Sequence, residues 1–289
     1  MHQLLQQIAS GLATGAIYSS LALALVMIYR ATELVNFAQG DMAMASTYLA
    51  WTLMNAGLPF WAAFVITLVS SFVAGVIIER VIIRPVQNAP VLAAVIVFIG
   101  LQLIIYAVTG WIFSYEVRDF ASPFPDKPIL GALINTRDLG VIGVTLVMLI
   151  LLYVFFRYTP TGLAMRAAAQ NPVSARLSGI RVGRMLAIGW GLAAAIGATA
   201  GIMVAPVLFL DPNMMLGVLI YAFAAALLGG ITNPLGAVVG GLIVGVAENL
   251  IGTYLIASQL KLTVALALIF LVLVFKPNGL FGTMTVRRV

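Results

Sequence analysis

The sequence predicts an all-α protein: a polytopic transmembrane helical bundle of about eight or nine spans, with some helices broken or re-entrant. Of its 289 residues, 63% are hydrophobic and only 8% are charged, and the mean hydropathy is +1.12. Soluble domains are about 45–50% apolar and about 25% charged, so a soluble globule of this composition could not cover its surface with polar groups. Intrinsic disorder needs low hydrophobicity and high charge, and it is excluded as well.

Seven apolar runs come close to the length of about 20 residues that a transmembrane helix needs. They are Ile8–Ile28, Phe60–Ile78, Val91–Gly110, Leu139–Phe156, Leu186–Ala205, Gly236–Ile256 and Leu262–Phe275. Two weaker segments, Asp41–Met54 and Gly217–Leu228, are short and are interpreted as half-helices, re-entrant pieces or tilted spans. We therefore expect residues 1–289 to form a single transmembrane domain.

The basic residues predict the orientation of these spans. Eleven of the 15 are Arg30, Arg80, Arg84 and those of segments 157–184 and 276–289. Because cytoplasmic loops are enriched in Lys and Arg, these positions are expected inside, with the amino terminus outside if both short segments cross. The net charge of +6 is then explained by basic residues on cytoplasmic loops. The sequence has no basic stripe interleaved with aromatic residues, so we expect no nucleic acid partner.

Two stretches, residues 30–41 and 228–236, interrupt the apolar pattern with turn-forming and polar residues. Irregular backbone survives at membrane depth only where it is buried or lines a cavity, so both stretches are expected to border a transport pathway. The alternative is a pair of loops at the membrane edge. Asn36 and Gln39 in the first stretch are candidate pathway residues, and the acids Glu33 and Asp41 are expected to cap helices.

Glu248 and Asn249 lie inside the apolar run Gly236–Ile256. A carboxylate there is costly and normally faces a cavity or a partner, so both residues are candidates for the substrate pathway. Pairing of Glu248 with an arginine or a backbone amide is the alternative. Gln102 is expected to form an interhelical hydrogen bond. The small residues within 191–201 and 236–245 predict close helix packing.

The loop 159–184 carries four arginines and no acid. We expect a turn at Thr159–Gly162 and a helix at Leu163–Gln170. A second short helix is predicted to be capped by Asn171, started by Pro172 and ended by Gly179 in a left-handed conformation. A docking element for a cytoplasmic partner fits this pattern, and an amphipathic hairpin on the membrane surface is the alternative.

The residues that most catalytic and metal sites need are scarce. The sequence has no cysteine and one histidine, His2, so we expect neither a metal site nor a cofactor. It lacks a Gly-Lys-Ser/Thr phosphate loop, a Gly-x-Ser-x-Gly elbow and a His-Glu-x-x-His helix. An enzyme, including an intramembrane one, is therefore not expected. Energy for transport must come from another subunit or from an ion gradient, and an ion-coupled secondary transporter also uses broken helices.

Several motifs, in order along the chain, resemble those of one transporter family. They are residues 35–41 (VNFAQGD), Arg166-Ala167, Asn171-Pro172, Ala175-Arg176-Leu177, Gly179-Ile180, Leu228-Gly229-Gly230 and residues 276–282 (KPNGLFG). The chain resembles the branched-chain amino acid ABC transporter permeases, and among them the shorter, LivH-type subunit. Gln39 stands where the family is associated with histidine, and related permeases act on urea or amides.

The resemblance implies a multi-pass permease domain in the bacterial inner membrane that moves leucine, isoleucine or valine. Its implied partners are a second permease subunit, two cytoplasmic ATPase subunits and a periplasmic solute-binding protein. Asn36, Gln39, Glu248 and Asn249 would then line the substrate pathway. Segment 159–184 would be the coupling element to an ATPase, carried by Arg166, Asn171, Pro172, Arg176 and Gly179. Urea, amides or other amino acids remain alternative solutes.

Overall fold

The computed structural model describes residues 2–87, 89–129, 134–255 and 260–282. Their contacts divide the chain into two compact units. Unit one comprises residues 1–26, 122–143 and 216–289, and unit two comprises residues 27–121 and 144–215. Of the predicted segments, Ile256 and the tail residues Arg287 and Arg288 lie outside the described residues.

The described chain is almost entirely helical, which confirms the predicted fold class. The first helices are α1 (His2–Thr32), α2 (Gln39–Asn55), α3 (Phe60–Ile78), a π-helical turn (Glu79–Ile83), α4 (Arg84–Val86) and α5 (Val91–Phe113). A small antiparallel hairpin of β1 (Pro128–Ile129) and β2 (Ile134–Asn135) precedes α6 (Thr136–Tyr158). The remaining helices are α7 (Pro160–Gln170), α8 (Pro172–Leu177), α9 (Val182–Leu208), α10 (Met214–Gly229), α11 (Pro234–Tyr254) and α12 (Lys261–Phe275).

Every predicted apolar segment falls on a helix, but the helices differ in their reach. Six of those described are long and apolar enough to cross a membrane: α1, α3 with its continuation to Val86, α5, α6, α9 and α11. The helices α2, α10 and α12 have 17, 16 and 15 residues. At 1.5 Å per residue they measure about 22–26 Å, which is less than the roughly 30 Å hydrocarbon core. The number of crossings therefore stays a prediction.

Unit two is built around α9, whose small residues let α2 and α3 approach its backbone. A Cβ atom added to Gly75 of α3 would come within 2.6 Å of the Trp190 carbonyl oxygen. One added to Gly191 would come within 2.8 Å of Phe72. One added to Gly201 would stand 2.8 Å from the Ala43 carbonyl oxygen on α2. The prediction of close packing along residues 191–201 is confirmed.

Unit one uses the same principle between α1 and α11. Added Cβ atoms would come within 2.9 Å of the Val246 Cα atom at Gly11 and of the Leu242 Cα atom at Gly15. Ser19, one turn further along α1, donates a 2.7 Å hydrogen bond to the Val238 carbonyl oxygen. The glycines of α11 thus serve close helix packing, as small residues do at membrane helix interfaces.

The second irregular stretch packs against the end of the described chain. The Leu280 and Phe281 amides donate to the Leu228 and Gly229 carbonyl oxygens over 2.7 and 3.1 Å. Gly230 and Gly279 adopt φ angles of +108° and +74°, which favour glycine because it lacks a Cβ atom. Asn233 caps α11 and also donates to the Phe281 carbonyl oxygen. Two motifs far apart in sequence therefore form one structural element.

Candidate functional site

The first irregular stretch is organised by Asn36, which is completely buried. Its side-chain oxygen accepts a 3.1 Å hydrogen bond from the Ala38 amide, and this contact stabilises a local turn just before α2. Its amide nitrogen donates to Gln39 Oε1 over 3.1 Å and lies 3.7 Å from the Met42 sulfur. Asn36 therefore sets both the turn and the position of Gln39.

Gln39 is also completely buried and joins this turn to α9. Its Nε2 atom donates a 2.9 Å hydrogen bond to the Ala193 carbonyl oxygen. The close approach depends on Gly197, where an added Cβ atom would come within 2.6 Å of Gln39 Nε2. Buried amide groups need such partners because an unmade hydrogen bond is costly. In this conformation the amides of Asn36 and Gln39 bond within the chain.

Neither acid of this stretch occupies the N-cap position of α2. The residue before α2 is Ala38, which makes no side-chain capping bond. Asp41 lies in the first turn of α2, where an acid is favourable, and hydrogen-bonds Gln102 of α5. The interhelical role predicted for Gln102 is confirmed. Glu33 follows α1 with a φ angle of +57°.

Glu248 lies on α11 in unit one, buried against two tyrosines. The Tyr18 hydroxyl of α1 donates a 2.7 Å hydrogen bond to Glu248 Oε2. The Tyr221 ring of α10 stacks on the Tyr18 ring at 4.9 Å, and Tyr221 also hydrogen-bonds Glu248. The partners of the carboxylate are thus tyrosine hydroxyls, whereas the sequence analysis considered an arginine or a backbone amide.

Asn249, the next residue, bonds to the first turns of α1. Its Nδ2 atom donates to the Gln7 carbonyl oxygen over 2.8 Å. Lys261, at the start of α12, acts electrostatically on Glu248, and its aliphatic stem packs on Gly252. Glu248 and Asn249 therefore connect three helices of unit one through polar contacts.

The four predicted pathway residues thus form two polar clusters, one in each unit. The structure brings Asn36 together with Gln39, and it places Glu248 and Asn249 on neighbouring positions of α11. Their assignment to a substrate pathway stays a prediction.

Segment 159–184 forms the expected pair of short helices, α7 and α8. Asn171 caps α8 by accepting a 2.9 Å hydrogen bond from the Ser174 amide, and Pro172 occupies the first turn. The turn predicted at Thr159–Gly162 is wrong. Thr159 is itself a helix cap that accepts from the Gly162 amide over 3.0 Å, so α7 begins at Pro160. Threonine followed by proline is a helix start for the same reason as Asn171-Pro172.

The two helices share a small apolar interior and end on a glycine. Ala168, Ala175 and Val182 are buried together. Gly179 has a φ angle of +81°, and the Ile180 amide donates back to the Ala175 carbonyl oxygen over 3.0 Å, as in a glycine-terminated helix. Arg176 is exposed, and Arg166 is half-buried. We call residues 159–181 the coupling hairpin, after the coupling role that the resemblance implies and that stays a prediction.

Sequence reasoning missed an ion pair, between a buried Glu79 and a partly exposed Arg84, that ties α3 to the start of α9. Glu79 is fully buried, and Arg84 contacts its carboxylate at 2.9 and 3.2 Å. Arg84 also donates a 2.7 Å hydrogen bond to the Gly183 carbonyl oxygen. A spacing of five residues does not place two side chains on one face of an α-helix. The π-helical turn makes the contact possible, and no simple sequence signal announces such a turn.

A cavity of about 200 Å³ lies within unit two beside the coupling hairpin. Its lining combines apolar side chains with the polar groups of Thr32, Gln87 and Arg176, and includes Phe98 and Pro172. Residues of the hairpin, of the end of α1 and of α4 therefore line one shared cavity.

The chain is similar in sequence to a family of transport proteins along nearly its whole length. Residues 7–273 match the family model for the branched-chain amino acid transport system permease component. The chain is 33% identical to the high-affinity branched-chain amino acid transport permease LivH of Escherichia coli K12, covering 99% of this chain and 97% of that protein. It is 30% identical to BraD of Pseudomonas aeruginosa, with coverage of 100% and 99%.

Archaeal and structural relatives extend the comparison. A probable branched-chain amino acid transport permease, LivH of Methanocaldococcus jannaschii, is 30% identical over 92% of this chain and 90% of its own. The solved structure of PsaBC from Streptococcus pneumoniae with a Fab matches at a TM-score of 0.50 and 14% identity. It covers 93% of this chain and 91% of that one, and it supports the fold alone. The chain belongs to the family of branched-chain amino acid transport permeases.

Proposed function

We propose that this chain is the inner-membrane permease subunit of an ABC importer for leucine, isoleucine and valine. In this proposal it forms the translocation path with a second permease, receives solute from a periplasmic binding protein, and is driven by two cytoplasmic ATPase subunits. The printed functions of the LivH and BraD relatives support the solute class. The chain itself carries no phosphate-binding loop, so ATP hydrolysis is assigned to other subunits.

The coupling hairpin is the observation that carries the proposal. It is rigid for its size, because both helices have side-chain caps and proline starts. It continues directly into α9, which packs closely on α2 and α3. A force applied to the exposed Arg176 is therefore transmitted to the central helix of unit two. The Glu79–Arg84 pair, bonded to Gly183, holds the start of α9 to the end of α3.

Movement of α9 gives the pathway residues a role in this proposal. Gln39 bonds to the α9 backbone through the Ala193 carbonyl oxygen. If α9 shifts, this bond breaks, and the amides of Gln39 and Asn36 become available to a passing solute. Glu248 and Asn249 supply a second polar cluster in unit one. Few polar groups in an apolar path suit a small amino acid with an apolar side chain.

Two pairs of substitutions test the coupling role in the reconstituted importer. Gly179→Ala strains a left-handed position by roughly 1–2 kcal/mol, and Gly57→Ala is its control. Gly57 also has a positive φ angle, +95°, with no atom near an added Cβ in either case. Arg176→Glu reverses an exposed hairpin charge, and Arg80→Glu does the same at an exposed position of the π-helical turn.

We expect all four variants to insert into the membrane. The two hairpin variants should lose most of the leucine-stimulated ATPase activity, while the two controls keep it. Equal stimulation in the hairpin variants and their controls would refute the coupling role.

A further inference from the structure

A polar and aromatic cluster lies at the end of α9 opposite the coupling hairpin. The 27 residues of α9 separate the two places by about 40 Å. At the far end, Phe209 directly follows α9 and Ser114 directly follows α5. Both residues have φ angles of +63°, with ψ angles of 163° and 176°, a region otherwise used almost only by glycine. Two strained positions therefore flank one site.

The loops that follow these two residues are held together by a short backbone bridge. The Arg118 amide donates to the Leu210 carbonyl oxygen, and the Leu210 amide donates to that of Arg118, both over 2.9 Å. Arg118 Nη2 also donates a 2.6 Å hydrogen bond to the Phe113 carbonyl oxygen. We call this bridge the Arg118–Leu210 clasp. Two hydrogen bonds between strained loops form a connection that can open at modest cost.

Aromatic rings and two oppositely charged residues, Arg118 and Asp211, accompany the clasp. The Tyr48 ring of α2 stacks on Phe113 at 4.6 Å, and Trp51 packs edge-on against Phe113 at 6.4 Å. The Arg118 guanidinium lies 4.5 Å over the Trp51 ring. Asp211 directly follows Leu210 and acts electrostatically on Tyr48. One of its carboxylate oxygens accepts a 2.6 Å hydrogen bond from the Asn213 amide.

Two buried donors of this cluster have no hydrogen-bond partner. One is the hydroxyl of Tyr48, a residue that is 0% exposed, and the other is Arg118 Nε. Buried polar groups without partners are rare in proteins and costly. Because Nε can only donate and the hydroxyl can donate, the group best suited to satisfy both is an acceptor with two oxygens. A carboxylate is such an acceptor and binds arginine strongly.

We propose that Tyr48 and Arg118 bind the carboxylate of a free α-amino acid, with Asp211 receiving its ammonium group. Phe113 and Trp51 offer apolar surface to the solute side chain, and the Arg118–Leu210 clasp opens to admit it. The inference rests on the proposed function, since it names where the solute of the importer is first held in this subunit. All of these residues belong to unit two.

Tyr48→Phe separates a binding role from a structural one. It removes a hydroxyl that contacts no partner, so folding should be unchanged or slightly improved. A role in binding predicts that affinity for L-leucine falls about tenfold or more, the usual loss for a hydrogen bond to a charged group. Arg118→Gln should weaken binding further while keeping the backbone clasp. Arg137→Gln is the control, because Arg137 Nε is also buried without a partner but lies in unit one.

The assay is equilibrium binding of radiolabelled L-leucine to the importer complex in nanodiscs, without the solute-binding protein. An excess of 3-methylbutylamine, which is leucine without its carboxylate, should not displace the radiolabelled L-leucine. Wild-type binding that Tyr48→Phe and Arg118→Gln weaken, but Arg137→Gln does not, supports the site. Unchanged binding in Tyr48→Phe, or effective competition by the amine, overturns it. Absence of leucine binding to the wild-type complex overturns it too. Uptake in the presence of the solute-binding protein tests the proposed function separately.

Discussion

Substitution of Gly245 tests whether the backbone contact of α1 with α11 holds unit one together. A Cβ atom at this position would meet the backbone of Gly15 and stand 2.6 Å from the Gly11 carbonyl oxygen. Backbone atoms cannot rotate away as a side chain can, so Gly245→Ala must push the helices apart by roughly 1 Å to restore ordinary contact. Overpacking of this kind costs about 1–3 kcal/mol.

Gly143→Ala is the matched control within the same unit. Gly143 lies in the middle of α6, and nothing stands within 4 Å of its added Cβ atom. Alanine there should stabilise the helix by about 0.5–1 kcal/mol. The two variants should therefore differ by roughly 2–4 kcal/mol in the free energy of unfolding.

The assay is thermal unfolding of the purified protein in one detergent. The melting temperature of Gly245→Ala should lie about 4–16 °C below that of Gly143→Ala, given a shift of about 2–4 °C per kcal/mol for larger domains. Leucine uptake should fall with it, because parting α1 from α11 draws Tyr18 away from Glu248, now 2.7 Å apart. Equal melting temperatures would refute the inference that this contact is close and rigid.

Three further substitutions probe the other contacts. Gln39→Leu should cost about 1–3 kcal/mol of unfolding free energy, because it removes the bond to the Ala193 carbonyl oxygen; a melting temperature equal to that of wild type would contradict this. Glu248→Gln keeps an acceptor for the Tyr18 hydroxyl but loses the negative charge, so we expect a folded protein with reduced leucine uptake. Full uptake would contradict the assignment of Glu248 to the substrate pathway. Asn171→Ala should destabilise α8 by about 1 kcal/mol. Hydrogen exchange of the backbone amides at residues 174–177 should then be roughly fivefold faster, whereas Asn171→Asp, which keeps a capping oxygen, should exchange like wild type.

Much of the fold could be predicted because membrane helices are recognisable in a sequence as long apolar segments. The segments around Phe60–Ile78 and Val91–Gly110 were predicted within a few residues of α3 and α5. The coupling hairpin was predicted from its Asn171-Pro172 start and Gly179 end, since capping is a local property. The start of α7 was misjudged because Thr159-Pro160 was interpreted as a turn.

The polar contacts were harder to predict because they join residues far apart in sequence. Tyr18 and Glu248 are separated by 230 positions, and Gln39 and Ala193 by 154. An apolar helix gives no indication of which tyrosine faces a buried carboxylate. The Arg118–Leu210 clasp follows two backbone conformations that serine and phenylalanine rarely adopt, so no sequence rule would find it.

The direct test of the central claim is leucine uptake into proteoliposomes that contain this chain and a second permease, with and without ATPase subunits. External solute-binding protein and an imposed ion gradient should be present in both samples. The account predicts accumulation against a gradient only when the ATPase subunits and ATP are supplied. Accumulation without them, driven by the ion gradient alone, would show that transport through this chain does not need separate ATPase subunits.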